Sequence, residues 1–496
     1  MRGSQMEVLS GNILTLHNCC IIIIKIALFI GEVMMNMIPT LLAGAAEIEI
    51  TPRLGTQIAG DIGRRRPAEV VFEPLYGKAL VLEEGGSEVC ILSLDLLAET
   101  KDQSDILREK IESTYGITKE NVILHVVQNH AAPSLGHMMV TSTNRFLPKD
   151  PEWQFLTSGD DSYHAMCIDH MVQVVGEAIR KKQRVHVGVS RAIDGRFSFN
   201  RRAVMRNGRR MAEPLRSVLD DELLYIDGPV DPEVGVALLV NDDMENIAAI
   251  LHHSCHPCSG YPHRFITSDW PGAWCDEMRK ILGNGCIPIV LNGFCGNLIH
   301  QNRLDPDHDW TDYKSMGAGL AESTVRALKK IRYMEHPELQ MTHEHLQIPV
   351  RQFPEGYLEN ARKMLEESPA VKWNEKEGCV DRDWWIAMSA LDVYHHWKPG
   401  SLFDYEIQAV RIGNLGIIAC GGEPFVEGQL AIKLNSPSEF TFTAHMCNYY
   451  VGYVPVKEAI ERMSTWDTFT NLGSKLDPCA LDLIAETSVK LLKKLF

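Results

Sequence analysis

The feature that most constrains this chain is a strand, helix, strand unit that occurs three times, each time with short apolar strands. In the first unit, residues 88–94 (EVCILSL) lead through a helical stretch at 104–115, with Ile106, Leu107 and Ile111 at helical spacing, to 121–127 (NVILHVV). The second runs from 246–253 (NIAAILHH), through a helix opened by Ser268, Asp269 and Pro271, to 286–291 (CIPIVL). The third joins 415–420 to 440–446 (FTFTAHM) through a helix at 424–433. Apolar strands joined by helices predict an α/β fold, with a largely parallel or mixed sheet flanked by helices. Ligands of such sheets bind beyond the carboxyl ends of the strands. Polar segments leave those ends here: QNH at 128–130, His256, NGFCGN at 292–297, Glu423 and NYYVGY at 448–453.

No fixed-period repeat, low-complexity tract or linker divides the sequence, so 42–496 reads as one domain, with amphipathic covering helices at 163–182, 313–331 and 477–495. A net charge of -16 repels nucleic-acid phosphate and anionic membrane surfaces. That balance leaves a small-molecule, lipid or carbohydrate partner and excludes nucleic acid. Thirteen cysteines, an odd number, define no closed disulfide scaffold and favour a reducing, cytoplasmic setting. Residues 1–41 read as a leader: the apolar run at 19–31, interrupted by Lys25, is a weak signal-peptide core that points to export, unless translation starts at Met35 or Met37. No other stretch is long and apolar enough to span a bilayer.

Among residues that can carry chemistry, His130 follows an apolar strand and precedes the turn at Pro133, a rigid support for a ligand or a general acid/base. A hydrogen-bonded structural histidine would look the same. His256 stands likewise after its strand. Cys255 and Cys258 flank it, but a structural zinc site needs a second ligand pair and none follows, so both read as core residues. Glu423, between Gly422 and Pro424, either caps the next helix or offers a ligand at its positive end. Tyr450 is a weak signal alone. Arg64, Arg65 and Arg66 (RRRP), and Arg201 with Arg202 (FNRRAV), are surface ion pairs or a fork for a carboxylate, phosphate or oxyanion. There is no P-loop, no G-x-S-x-G elbow and no dinucleotide fingerprint.

Taken in order, AGAAEIEITP, EPLYGKALVLEEG, SLDLL, QNHAAPS, FNRRAVMRNGR, GPVDPEVGV, SCHP, SDWPGAW, NGFCGN, GGEPFVE and NYYVGYVP resemble the neutral/alkaline non-lysosomal ceramidase family. The resemblance implies a zinc-dependent hydrolase of an amide bond whose metal is held by two histidines, a glutamate and a tyrosine. Carried across residue by residue, it puts His256, Glu423 and Tyr450 at ligand positions and His130 beside the metal as a proton carrier. It gives Tyr450 a catalytic part as well, and makes Arg201 the arginine that orients substrate oxygen. Gln128, Asn297, Arg64, Arg65 and Arg66 then fall on the substrate side.

Two departures stand out. Gln128 occupies the family's first histidine ligand position, and the chain ends without the C-terminal β-sandwich of characterised ceramidases, which argues against a long lipid substrate more than against catalysis. On an extended strand, Gln128 and His130 face the pocket while His125 and Val127 face away. Three outcomes follow: Gln128 binds through its amide oxygen, His130 moves in as the second nitrogen ligand, or no metal binds. Imidazole suits zinc better than an amide, which favours a set of His256, His130 and Glu423 with an open position for water. Competing readings are a hydrolase or lyase acting on an anionic sugar held by the arginine run, and a binding protein with a decayed metal site.

Overall fold

A computed structural model describes residues 40–496 except 62, 214–215, 306, 308–311, 335, 463–464 and 466. The leader, with its signal-peptide and start-site readings, lies outside the described residues.

Each of the three units is a sheet whose four principal strands share one topology; a two-residue edge strand, Gln183–Arg184 in the first sheet and Tyr333–Met334 in the second, adds a fifth. The first contains β1 (Leu42–Glu49), β2 (Tyr76–Glu84), β3 (Ser87–Leu94) and β4 (Val122–Val126), with helix α1 (Lys101–Tyr115) crossing from β3 to β4. After α2 (Asp161–Arg180), the second contains β5 (His186–Ile193), β6 (Glu233–Val240), β7 (Asn246–His253) and β8 (Ile287–Asn292), with α3 (Asp269–Leu282) as its crossover. After α4 (Tyr313–Leu328), the third contains β9 (Leu339–Pro349), β10 (Leu402–Ile412), β11 (Leu415–Cys420) and β12 (Phe440–Ala444), crossed by α5 (Val426–Asn435). The terminal helix α6 (Ala480–Leu495) packs over the third sheet.

In every sheet the last two strands pair parallel and the others antiparallel. The sheets are therefore mixed, not largely parallel. Hairpins and longer returns feed each unit with antiparallel strands, and only the helical crossover, long enough to bring the chain back to the same end, yields a parallel pair. Helix α1 buries Leu107 and Ile111 with Ser104 and Arg108. Ile106 lies one position off that face and stays 42% exposed.

The three sheets share one apolar core, to which the first gives Leu80 and Ile91, the second Ile250 and Ile289, and the third Ile417 and Phe442. Burial of each such side chain contributes about 1.5–3 kcal/mol. His125, at the centre of β4, stitches the units together. Its Nε2 accepts the Asn292 N–H at 3.0 Å, so its Nδ1 carries the proton and donates to the His445 carbonyl at 2.7 Å. This histidine is saturated and structural. The stitch holds the carboxyl ends of β4, β8 and β12 at one edge of the molecule. Among the described residues, no helix is long and apolar enough to cross a membrane.

Candidate functional site

The loops leaving that edge carry a connected set of polar side chains. His256, three residues past β7, is buried. Its Nδ1 donates to the Cys295 carbonyl at 2.7 Å, and its Nε2 faces Glu423 Oε2 at 3.1 Å. Once Nδ1 holds the proton, Nε2 of the neutral ring is a lone pair. A lone pair and a carboxylate oxygen at that distance need a shared proton or a cation between them. Two donors about 2.0–2.2 Å from a tetrahedral ion sit roughly 3.3 Å apart, close to the observed spacing.

Glu423 does not cap α5, whose N-cap is Phe425. It lies on a two-residue strand, Glu423–Pro424, paired with Tyr453–Val454, and its main chain passes Gly296 so closely that a Cβ there would lie 2.3 Å from the Glu423 carbonyl. Only glycine permits that approach. The hydroxyls of Tyr450 and Tyr453 bond to Glu423. Burial first, and the Glu423 charge second, hold both phenols well above their ordinary range.

His130 is half-buried, with its ring 5.8 Å from that of His256. Its Nδ1 reaches the Gly60 carbonyl at 3.2 Å, over a glycine whose Cβ would come within 2.6 Å of the ring. Its Nε2 is buried and has no hydrogen-bond partner among the described residues. Burial, then the neighbouring His256 and Arg66, push this imidazole well below its ordinary range, so the free Nε2 is a lone pair at neutral pH.

The pleat does not run through to His130. Strand β4 ends at Val126, and Gln128 adopts a left-handed φ of 69°. Gln128 is buried, with its Oε1 3.7 Å from the Cys295 thiol. Among the described residues, the sole group of three His, Cys, Asp or Glu ligands within 4.8 Å lies elsewhere, so His130 closes no three-ligand set with His256 and Glu423. Gly60 seats His130 beside the pair.

The arginines divide. Arg66 is fully buried and donates to the carbonyls of Ala59, His130 and His263 at 2.9–3.0 Å, a clamp beneath the His130 loop with no guanidinium edge left for an anion. Arg64 pairs with Asp61 at 2.6 Å and with the Glu377 carbonyl at 2.6 Å. Arg65 is exposed. Arg201 is buried, bonded to the Gly296 carbonyl at 2.7 Å and to Asp467 at 3.1 Å, with its guanidinium over the Tyr453 ring. Asp467 also binds Arg202 at 2.8 Å. Asn297 is not open to substrate: its amide holds Glu427 at 2.9 Å and the Val426 N–H at 3.0 Å, fixing the start of α5.

Sequence reasoning missed His445 and Asp467. Both ring nitrogens of His445 lie 3.7 Å from the Cys295 thiol, and His445 follows the end of β12 as His130 follows β4, the one signal that could have found it. Asp467 offers no local motif.

The donor atoms of His137, Asp161 and His164 do lie within 4.8 Å of one another, where His137 meets the first turn of α2. His137 Nε2 faces Asp161 at 2.9 Å. The buried His164 accepts the N–H groups of Gly136 (3.0 Å) and Asp160 (3.2 Å) at Nε2. Its Nδ1 must then carry the proton, directed at Asp161 from 3.6 Å. By distance this is a metal group. By protonation His164 is a donor toward Asp161 and offers no lone pair there, which leaves His137 and Asp161 one donor short of a three-ligand set.

Two open cavities accompany the fold. One, of about 240 Å³, lies between β2 and α3 around Lys78, Asp95 and Arg279, and the other, of about 290 Å³, lies between α1 and α2 beside His164. Neither is lined by His130, His256 or Glu423; His130 and Tyr450 are the half-buried members of the candidate set.

No protein-family model matches the chain, and no curated protein matches it in sequence. Solved structures do. The neutral ceramidase from Pseudomonas aeruginosa superposes with a TM-score of 0.67 at 15% identity, over 92% of this chain and 74% of that one. A ceramidase complexed with C2 gives the same score and identity over 92% and 75%. With three mixed sheets flanked by helices, the chain has a ceramidase-like α/β fold.

Proposed function

We propose that this protein is a metal-dependent hydrolase that cleaves an amide bond in a small-molecule or lipid substrate, in the manner of a ceramidase. The observation that carries the reading is the pair of facing acceptors, His256 Nε2 and Glu423 Oε2, 3.1 Å apart in a buried site. His256, Glu423 and Tyr450 would hold the ion, zinc or a similar divalent metal. When bound there, such an ion lowers the pKa of water and polarises a carbonyl.

The chain's own residues supply the rest. His130, neutral and with a free Nε2, takes a proton and returns it to the leaving amine. Arg201, fixed by Asp467 and the Gly296 carbonyl, orients a substrate oxygen. Tyr450, kept as a phenol by burial and Glu423, adds an oxygen donor at the rim. The committed states of Arg64 and Arg66 take support away from the anionic-sugar alternative. The test is a panel of N-acyl amides with metal analysis of the purified protein. Chelator-sensitive release of amine is expected, and turnover of a charged sugar with no amide cleavage would replace this reading.

A further inference from the structure

We infer that the ion is held by one nitrogen and three oxygens, with the side-chain amide of Gln128 as the fourth donor, so that the site discriminates weakly between zinc and manganese. The inference rests on the metal-dependent reading above and concerns which donors this chain brings.

His256 supplies the single nitrogen. Glu423 supplies a carboxylate oxygen, and Tyr450, bonded to Glu423, a phenolic one. Among the described residues, no further His, Cys, Asp or Glu donor lies within 4.8 Å of both His256 and Glu423. A fourth protein donor, beside the water, then comes from another residue type, and Gln128 is placed for it. Cys295 links the two: its carbonyl fixes the His256 ring, and its thiol is the neighbour of Gln128 Oε1 at 3.7 Å. A thiol is a weak donor, so the amide oxygen keeps its acceptor capacity.

The backbone at Gln128 points the same way. A left-handed φ on a residue other than glycine is unfavourable and persists where the surroundings impose it. Here it falls on the second residue past β4, where the chain leaves the sheet for the site. Without that turn the pleat would fix the side chain's direction; with it, the amide is turned toward Cys295. Met446 and Asn448, in the loop that carries Tyr450, take positive φ values as well. Backbone strain therefore gathers on both sides of the His256 and Glu423 pair.

Oxygen donors suit magnesium, calcium and manganese, whereas imidazole favours zinc, so replacing one imidazole by an amide narrows the preference for zinc. His445 is the competing nitrogen. It is buried beside Cys295, and its ring touches nothing stronger than that thiol.

The experiment is a competition titration of metal-free protein against a chromophoric chelator, with Zn2+ and Mn2+ separately, for wild type, Gln128→His, Gln128→Ala and His445→Ala. Folding of each variant is checked by circular dichroism. Gln128→His is expected to raise the zinc-to-manganese affinity ratio at least about tenfold, and Gln128→Ala to weaken both ions roughly tenfold. His445→Ala leaves both unchanged. An unaltered ratio in Gln128→His, or zinc loss in His445→Ala, overturns the donor assignment while the metalloenzyme reading stands. Folded wild type and Gln128→His that both bind no metal would overturn that reading itself.

Discussion

Two histidine and carboxylate pairs in this molecule are nearly alike in distance and differ in their surroundings. His256 meets Glu423 at 3.1 Å, and His137 meets Asp161 at 2.9 Å. In the first pair the far ring nitrogen donates to a main-chain carbonyl, the neighbouring His130 is fixed in the same way, and Glu423 has 3% of its side chain exposed. Both rings thus offer Nε2 lone pairs inside the protein. In the second, the adjacent His164 is locked as a donor by two main-chain N–H groups, and the Asp161 side chain is 87% exposed. The far nitrogen of His137 meets Thr157 Oγ1 at 2.7 Å, and that hydroxyl donates to the Gln154 carbonyl, so His137 is the same tautomer as His256; what separates the two pairs is burial and the histidine beside each.

The strongest way to break the comparison is to remove one carboxylate from each pair. Glu423→Gln should lower metal affinity at least about 100-fold and amide turnover roughly 1000-fold. Asp161→Asn should leave both within about twofold. Titration and steady-state kinetics on the two variants decide it, and equal losses would erase the distinction.

A smaller effect tests the support beneath His130. Arg66→Met leaves the carbonyls of Ala59, His130 and His263 without their donor, and should cost about 3 kcal/mol in urea unfolding. A stability unchanged within about 0.5 kcal/mol would mean that the loop does not depend on this clamp.

The smallest effect is read by pH. Lys475 is buried against the Val451 carbonyl, next to Tyr450, and burial alone lowers its pKa to about 7. The unfolded chain holds that proton up to about pH 10.4, so between pH 7 and 10.4 it binds more protons than the native state, and stability rises with pH. Between pH 7 and 9 the gain is about 2 kcal/mol, reached by chemical denaturation at each pH. Lys475→Met should flatten that slope. A slope identical in wild type and variant would show that Lys475 is charged when folded.

Much of this comparison was legible before any coordinates. The three apolar strand pairs were readable because short buried strands and helical crossovers leave strong periodic signals, and the parallel pairing of 88–94 with 121–127 follows directly. The antiparallel strands that make each sheet mixed were not: the Gly85–Gly86 hairpin signal was passed over, and pairings such as 42–49 with 76–84 span tens of residues and leave no local mark. His130, His256, Glu423 and Tyr450 were singled out from their places after strands and from the family resemblance; the His130 and His256 rings stand 5.8 Å apart, and His256 and Tyr450 both meet Glu423. The fate of Gln128 was missed because one left-handed residue resets which side chain faces where, and no residue preference announces a glutamine with positive φ. The protein partners of Arg66 and Asn297 were not legible for a related reason. A charged or amide side chain near a site looks the same in sequence whether it meets a ligand or main-chain carbonyls and amides.

The central claim, that an ion binds at His256 and Glu423 and not at the His137 group, is tested most directly by anomalous diffraction from crystals grown with zinc or manganese. The account predicts a peak about 2 Å from His256 Nε2 and from a Glu423 oxygen, with Tyr450 and Gln128 oxygens completing the shell and no peak beside Asp161. An ion bound only between His137 and Asp161, or none at His256 in crystals that bind metal, would contradict it.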